Sequence, residues 1–311
     1  MDFKGRVVVV TGAGIGLGRD YALFFGSRGA KVVVNDLGVS SKGEGNNSKV
    51  ADQVVAEIKS KGGEATANYD SVEFGEKIIK TAMDAYGRVD VLINNAGILR
   101  DKVFKNFTPE DWNLIVKVHL NGVYACTKAA WEVMLKQKFG RIITVSSPSG
   151  LYGSFGQANY AMAKAGMVGF TRTLAMEGEK YNIRTNCIAP VALTRMTENL
   201  FPEDIKELLK VEYITPLVAF LSHESCTENG SIYEVQGTLV TKVRWQRSQG
   251  VFFGPKISME DVAKRINDIN DFGKENTYQD EDQKAMSLVV NMFDEYKQKN
   301  KTMSKFWLDL I

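Results

Sequence analysis

Residues 7–18 read VVVVTGAGIGLG, an apolar run followed by a glycine-rich turn. Four consecutive valines predict a strand that is buried on both faces. Because glycine has no Cβ, the turn can be tight and its backbone can approach a ligand closely. The helix that follows offers free N–H groups and the positive end of its dipole to a phosphate. The stretch therefore predicts a dinucleotide site, with the candidate residues Gly12, Ile15, Gly16, Leu17 and Gly18.

Three further β-branched runs follow, at Lys31–Val34, Val91–Ile93 and Arg141–Val145. Amphipathic stretches of helical length lie between or after these runs, at residues 17–28, 49–61, 74–86 and 112–136. Strands that alternate with helices through right-handed crossovers build a doubly wound parallel sheet. We therefore predict a Rossmann-like α/β fold that binds its ligands at the carboxyl ends of the strands.

The strand–helix pattern ends near residue 237. Residues 241–256 are basic and aromatic, and residues 258–271 and 283–299 have the pattern of two polar amphipathic helices. We therefore predict a catalytic domain over residues 1–237 and a C-terminal helical appendage, packed on that domain, over residues 238–311.

Composition excludes several classes of protein. The 311 residues carry a net charge of +2, which gives no reason to expect nucleic acid binding. Three separated cysteines and two histidines do not have the spacing of a zinc site, so we expect no metal. No run of eighteen apolar residues exists, and we expect no membrane insertion. Neither a secretory signal at the start nor a peroxisomal address at Leu308–Ile311 is recognisable.

Asp36 indicates which dinucleotide is bound. A glycine-rich turn alone is weak evidence, because many strand–helix turns use glycine. Asp36 ends the second predicted strand, 18 residues beyond Gly18. A carboxylate there can accept hydrogen bonds from the ribose hydroxyls of NAD and would repel the 2′-phosphate of NADP. Since no basic residue directly follows Asp36, the sequence favours NAD.

Tyr160 and Lys164 are spaced four residues apart on one helical face. An ammonium near a phenol favours the phenolate, so the pair predicts a Tyr160 pKa below its usual value of about 10. Such a phenol can act as general acid or base on an alcohol oxygen. A Tyr–Lys pair at this spacing also occurs by chance on many solvated helices. Ser147, just past the strand that ends at Val145, strengthens the catalytic interpretation because its hydroxyl could hold the substrate oxygen.

Four motifs together resemble the short-chain dehydrogenase/reductase superfamily. They are T-G-x-x-x-G-x-G at 11–18, N-N-A-G at 94–97, Ser147, and Y-x-x-x-K at 160–164. The resemblance implies that Tyr160 is the catalytic acid/base and that Ser147 positions the substrate oxygen. It also implies that Tyr160 and Lys164 contact the cofactor, Lys164 by bonding the nicotinamide ribose. It further implies that the residues contacting the cofactor include those at the adenine, in the cleft and near the nicotinamide: Asp70, Ser71, Val72, Asn95, Val191 and Thr194.

Two departures from the family pattern concern His119 and Val191. The family usually has Asn where His119 stands. The backbone of that Asn binds a water molecule that takes part in the proton relay. His119 is therefore either a catalytic candidate or a buried histidine with a structural hydrogen bond. Pro190-Val191 stands where Pro-Gly is common, which could alter the nicotinamide loop.

A closer resemblance is to the subfamily of (3R)-hydroxyacyl-CoA dehydrogenase units in type 2 peroxisomal multifunctional enzymes. It rests on segments that include residues 34–38, 155–160 and 222–226. It implies NAD-dependent oxidation of (3R)-3-hydroxyacyl-CoA in peroxisomal β-oxidation, an acyl-CoA substrate, a homodimer, and fusion to hydratase or sterol-carrier modules in a longer protein. The alternatives are a dehydrogenase of the same fold acting on a steroid or another secondary alcohol, and a non-catalytic nucleotide-binding module.

Overall fold

The valine run at residues 7–10 lies inside an eight-stranded sheet in the computed structural model of the chain. The structure describes residues 1–45, 47–194, 197, 202–246, 248, 250–253 and 256–273. Among these residues, no helix combines the length and the apolar character that a bilayer crossing requires. The strands are β1 Val7–Thr11, β2 Lys31–Asn35, β3 Glu64–Asn68, β4 Val91–Asn94, β5 Gly140–Val145, β6 Ile183–Val191, β7 Ile232–Gln236 and β8 Leu239–Val243.

The strand order is β3-β2-β1-β4-β5-β6-β7-β8. Strands β1 to β7 are parallel, and β8 returns antiparallel to β7. The order reverses between β1 and β4, which creates the crevice at which such sheets bind ligands. The predicted doubly wound α/β fold is confirmed.

Helices alternate with the strands. The α-helices are α1 Gly16–Ser27, α2 Lys49–Ser60, α3 Gly75–Tyr86, α4 Pro109–Ile115, α5 Gly122–Gln137, α6 Pro148–Tyr152, α7 Ala158–Gly178, α8 Glu203–Lys206, α9 Thr215–Ser222 and α10 Met259–Ile269. Short 3₁₀ turns lie at Val72–Phe74, Phe104–Asn106, Glu179–Tyr181, Glu207–Leu209 and Val211–Tyr213.

The single helix predicted over residues 112–136 is instead α4 and α5 joined by a π-helical segment, Val116–Asn121. Such segments inside helices often occur at functional sites.

Both faces of the sheet are covered, which explains the unbroken valine run of β1. Val8 and Val10 pack with Tyr21 and Phe25 of α1 and with side chains of α2 and α9. Val7 and Val9 point to the other face and pack with α3 and α5. Successive side chains of a strand point to opposite faces, so a strand between two helical layers needs apolar residues at every position.

The chain divides into two compact units, 1–243 and 244–311. The boundary predicted at residue 237 falls in the turn between β7 and β8, and the first unit extends to the end of that hairpin. In the second unit, α10 lies within the helix predicted at 258–271 and begins with a capping box formed by Ser258 and Asp261. The helix predicted at 283–299 lies outside the described residues.

A buried carboxylate holds the amino-terminal edge of the sheet. The Asp90 side chain is fully buried and accepts a hydrogen bond from the Val7 backbone N–H at 2.9 Å. It also forms ion pairs with Arg6 at 3.0 Å and Arg88 at 2.7 Å, whose side chains are partly exposed. The carboxylate therefore ties β1 to β4 at the end opposite the ligand crevice.

Replacement of Asp90 by Ala should lower the free energy of unfolding by about 2 kcal/mol, because it leaves the buried Val7 N–H without an acceptor. Urea denaturation measures this change. The matched control is Asp84→Ala, which removes an exposed pair with Lys80 and should cost below about 0.5 kcal/mol. Equal losses in the two variants would contradict the anchoring role of Asp90.

Candidate active site

A cavity of ≈ 780 Å³ lies at the carboxyl ends of the central strands. Its size suits a small-molecule or cofactor site. It brings together most of the residues that the sequence singled out, and its lining includes Gly12, Ile15, Gly16, Leu17, Asp36, Asp70, Ser71, Val72, Asn95, His119, Ser147, Tyr160, Lys164 and Thr194. Gly18 lies beneath the turn. Val191 does not line the cavity although its neighbours Pro190 and Ala192 do, which fits the alternation of side chains at the end of β6.

The glycine turn is required by close backbone contacts. Gly12 has φ +63°, and a Cβ there would lie 2.8 Å from the Ala96 Cα. A Cβ at Gly18 would lie 2.1 Å from the Gly12 carbonyl oxygen. The N-cap of α1, Ile15, provides no side-chain hydrogen bond to the first turn. The turn therefore leaves the start of α1 open toward the cavity.

Asn95 holds this turn in place. Its Nδ2 donates to the carbonyl oxygens of Thr11 and Gly12, both at 3.0 Å. The Thr11 hydroxyl in return accepts from the backbone N–H groups of Asn95 and Ala96, at 3.0 and 3.1 Å. Asn95 lines the cleft as the resemblance implies, and its amide N–H groups fix the glycine backbone.

Asp36 stands directly after β2 with its carboxylate oriented by the backbone. One oxygen accepts from the Gly14 N–H and the other from the Gly38 N–H, each at 2.7 Å. Each carboxylate oxygen keeps further acceptor capacity. The result is a fixed negative charge at the cavity wall, bonded directly to the glycine turn through the Gly14 N–H.

The segment after β3 forms another part of the wall. The Asp70 carbonyl accepts from Asn35 Nδ2 at 2.9 Å, and Ser71 caps the 3₁₀ turn that contains Val72 by accepting from the Glu73 N–H. These contacts place Asp70, Ser71 and Val72 on the same side of the cavity as Asp36.

Lys164 is buried at the base of the site. Only 5% of the residue is exposed, and its Nζ donates to the Val145 carbonyl oxygen at 2.7 Å. Nζ lies 5.5 Å from the centre of the Tyr160 ring. Burial lowers the pKa of Lys164 to about 8, because the charged ammonium loses its hydration.

The pKa of Tyr160 differs from the sequence-based prediction. Burial raises it to about 12, a hydrogen bond with Ser147 opposes the rise, and the charge of Asp101 adds to it. The prediction of a lowered value was wrong for the protein alone. The physical reason is that the Lys164 ammonium is directed to the Val145 carbonyl and lies beneath the ring, so it does not offset the desolvation of the phenol.

His119 lies in the π-helical segment and is buried. Its Nε2 lies between the backbone N and O atoms of Ile98, at 3.1 and 2.9 Å, and its Nδ1 has no partner. The ring meets that of Tyr160 edge to face, with centroids 5.3 Å apart. Burial, with the nearby charge of Lys164, lowers the pKa of His119 to about 3. His119 is thus a neutral, structurally bonded histidine that also contacts the proposed acid/base.

Several polar residues of the cavity were not singled out from the sequence, among them Asp101, Ser149 and Gln157. A sequence signal existed for Gln157, which directly precedes the helix that carries Tyr160. Ser149 follows Ser147 by two residues.

Among the described residues, no group of three or more His, Cys, Asp or Glu side chains is arranged to hold a metal ion.

Comparisons with known proteins agree on a family. The sequence profile described as short chain dehydrogenase matches residues 6–205. The peroxisomal hydratase-dehydrogenase-epimerase of Neurospora crassa is 59% identical over 273 residues, which cover 87% of this chain and 30% of the relative.

Two solved structures extend the comparison. Full-length peroxisomal multifunctional enzyme type 2 from Drosophila melanogaster aligns with a TM-score of 0.80 at 40% identity, over 94% of this chain and 50% of that one. A 7α-hydroxysteroid dehydrogenase complexed with NADH and 7-oxo glycochenodeoxycholic acid aligns with a TM-score of 0.68 at 26% identity, over 76% and 94% of the two chains. The chain thus spans about a third of the Neurospora relative and half of the Drosophila one.

Replacement of Gly18 by Ala should weaken NADH binding by at least about tenfold, because the added methyl group meets the Gly12 carbonyl and displaces the turn by a fraction of an ångström or more. Titration of NADH fluorescence measures the affinity. The matched control is Ser27→Ala, an exposed substitution at the far end of the same helix α1, which should leave the NADH affinity unchanged. Unchanged NADH affinity in the Gly18 variant would contradict the role of the turn.

Proposed function

The chain belongs to the short-chain dehydrogenase family, and we propose that it oxidises (3R)-3-hydroxyacyl-CoA to 3-ketoacyl-CoA with NAD in peroxisomal β-oxidation. The observation that carries the chemistry is the convergence of Ser147, Tyr160 and Lys164 on one cavity, at the end opposite Asp36 and the glycine turn. The substrate class is supported by the high identity to a peroxisomal hydratase-dehydrogenase-epimerase.

A nicotinamide dinucleotide fits the cavity. The uncapped start of α1 suits a pyrophosphate, and the space at Gly16, where a Cβ would come no nearer than 3.8 Å to Thr194, leaves room beside it. The fixed carboxylate of Asp36 supports NAD over NADP. When bound, the nicotinamide supplies the acceptor for the hydride that leaves C3 of the substrate, together with a positive charge near the phenol.

Tyr160 is the proposed acid/base. In oxidation its phenolate oxygen takes the proton of the 3-hydroxyl while the C3–H bond breaks and the C–O double bond forms. Ser147, whose hydroxyl opposes the burial-induced rise in the Tyr160 pKa, would hold the same oxygen. In the reverse direction the protonated phenol donates to the ketone oxygen. The raised pKa keeps the phenol protonated in the protein alone, so the positive charge of a bound nicotinamide would favour the phenolate for oxidation.

Lys164 has a positioning role in the proposed mechanism. Its hydrogen bond to the Val145 carbonyl fixes the helix that carries Tyr160 against the end of β5, next to Ser147. His119 supports the Tyr160 ring from the side as a neutral group, which agrees better with a positioning role than with proton transfer.

The assembly also belongs to the proposal. We propose a twofold homodimer through the outward faces of α5 and α7, which present the exposed apolar side chains of Tyr124, Met162 and Met176. The length of the relatives supports a chain that works beside hydratase or sterol-carrier modules of a longer protein.

The proposed function predicts turnover of (3R)-3-hydroxybutyryl-CoA with NAD, at a kcat/KM far above that for the (3S) enantiomer or a hydroxysteroid. Tyr160→Phe should lower kcat by at least about a thousandfold while NADH affinity stays within about twofold, because only the proton-transfer group is removed. Steady-state absorbance of NADH and NADH titration supply the two measurements.

Tyr152→Phe is the matched control. Tyr152 is exposed and bonds Glu234 at 2.8 Å, so its phenol should be dispensable for turnover. A Tyr160→Phe variant with near-normal kcat would refute the assigned chemistry, and a preference for hydroxysteroids would replace the proposed substrate by the alternative class.

The Asp36 carboxylate predicts a kcat/KM for NAD that exceeds that for NADP by at least about a hundredfold. Asp36→Asn should lower this ratio by about tenfold or more, because it removes the charge that repels the 2′-phosphate. The substitution does not change the size of the side chain. Kinetics with both cofactors measure the ratio, and the exposed Asp84→Asn serves as control. A wild-type preference for NADP would contradict the prediction.

A further inference from the structure

A chain of hydrogen bonds lies beside Tyr160 and takes no part in the mechanism above. The Ser149 hydroxyl donates to Gln157 Oε1 at 2.7 Å, and Gln157 Nε2 donates to Asp101 Oδ2 at 2.7 Å. All three residues line the same cavity as Tyr160 and Ser147. The cavity wall therefore carries a hydrogen-bonded set of polar side chains that the acid/base chemistry does not use.

The neighbours of Gln157 determine which way its amide faces. A carboxylate can only accept hydrogen bonds, so the Gln157 amide must present an N–H to Asp101. Its oxygen is then satisfied by the Ser149 hydroxyl. A side-chain amide has two N–H donors, and this arrangement uses one of them. Gln157 consequently offers the cavity a donor of fixed orientation.

The Gln157 amide is connected to the residues that would hold the reacting oxygen of the substrate. Gln157 is the N-cap residue of α7, Tyr160 is the third residue of that helix, and both line the cavity. Ser149, at the other end of the hydrogen-bond chain, donates its backbone N–H to the Ser147 hydroxyl at 3.2 Å. The amide is thus tied to both groups that would hold the substrate 3-oxygen.

We propose that Gln157 is a specificity-determining residue that donates its second amide N–H to the thioester carbonyl oxygen of a 3-hydroxyacyl thioester. In such a substrate the carbonyl carbon lies two carbons from the reacting C3, so one oxygen meets Tyr160 and Ser147 while the other meets Gln157. Asp101 and Ser149 are positioning residues that hold the amide. The inference rests on the proposed function and extends it from the reaction to the recognition of the substrate class.

A plain secondary alcohol has no second oxygen in this relation, so it cannot pair with the amide. A site built to hydrogen-bond a substrate group discriminates against analogues that lack the group, because the polar partner in the site then stays unpaired. The hydrogen-bond chain thus gives a physical reason for preferring 3-hydroxyacyl thioesters over simple alcohols.

The test compares (3R)-3-hydroxybutyryl-CoA with its thioether analogue, in which a methylene replaces the thioester carbonyl. Wild type should prefer the thioester in kcat/KM by at least about tenfold, the value of one hydrogen bond. Gln157→Leu should reduce this preference to below about threefold, chiefly by losing activity on the thioester. NADH affinity should not change, which shows that the variant is folded.

Two further variants separate specificity from a general structural effect. Asp101→Ala frees the amide to rotate and should lower the thioester preference by an intermediate amount. Gln53→Leu, an exposed position on α2, makes the same substitution far from the cavity and should leave the preference unchanged.

The outcomes are distinguishable. A thioester preference that stays the same in Gln157→Leu, with wild type active on the thioester, overturns this inference and leaves the proposed function standing. A wild-type protein inactive on (3R)-3-hydroxybutyryl-CoA overturns both.

Discussion

The hydrogen bond from Lys164 Nζ to the Val145 carbonyl is the interaction on which the site depends. It joins Lys164, which lies on α7 four residues after Tyr160, to the end of β5, the strand that leads directly to Ser147. Close packing accompanies it, since a Cβ on Gly150 would lie 2.7 Å from the Lys164 main chain, and the Ser146 hydroxyl donates to the Lys164 carbonyl at 2.7 Å. Helices α6 and α7 are thereby held together with their functional side chains on one cavity.

Burial of this pair has opposite effects on its two members. It lowers the pKa of Lys164 to about 8 and raises that of Tyr160 to about 12, because both charged forms lose hydration. The protein alone thus favours a protonated phenol, which suits reduction. In the proposed reaction, oxidation would need further positive charge at the phenol, which a bound nicotinamide cation would supply. Proton transfer is thereby linked to cofactor binding.

The fold was predictable where apolar periodicity is strong. The runs in β1, β2, β4 and β5 and the helices α1 to α3 were found within a few residues. The edge strand β3, Glu64–Asn68, has little apolar character and gives no such signal. The π-helical segment was missed because periodicity does not distinguish it from a regular helix.

In the site, motif spacing predicted that Ser147, Tyr160 and Lys164 lie together, and all three line one cavity. The pKa of Tyr160 was mispredicted because the desolvation of the phenol depends on tertiary packing. The bond between Gln157 and Asp101, 56 residues apart, likewise exists only in the folded chain.

The most direct test of the acid/base account is the pH dependence of kcat in both directions, with NAD and (3R)-3-hydroxybutyryl-CoA or with NADH and acetoacetyl-CoA. Tyr160 must be deprotonated to accept a proton and protonated to donate one. The account therefore predicts that oxidation accelerates as the pH rises from about 6 to 10, because the positive charge of bound NAD favours the phenolate. Reduction should change little over the same range, because NADH carries no such charge and burial keeps the phenol protonated. An oxidation rate that falls as the pH rises, or a reduction rate that rises with it, would contradict the account.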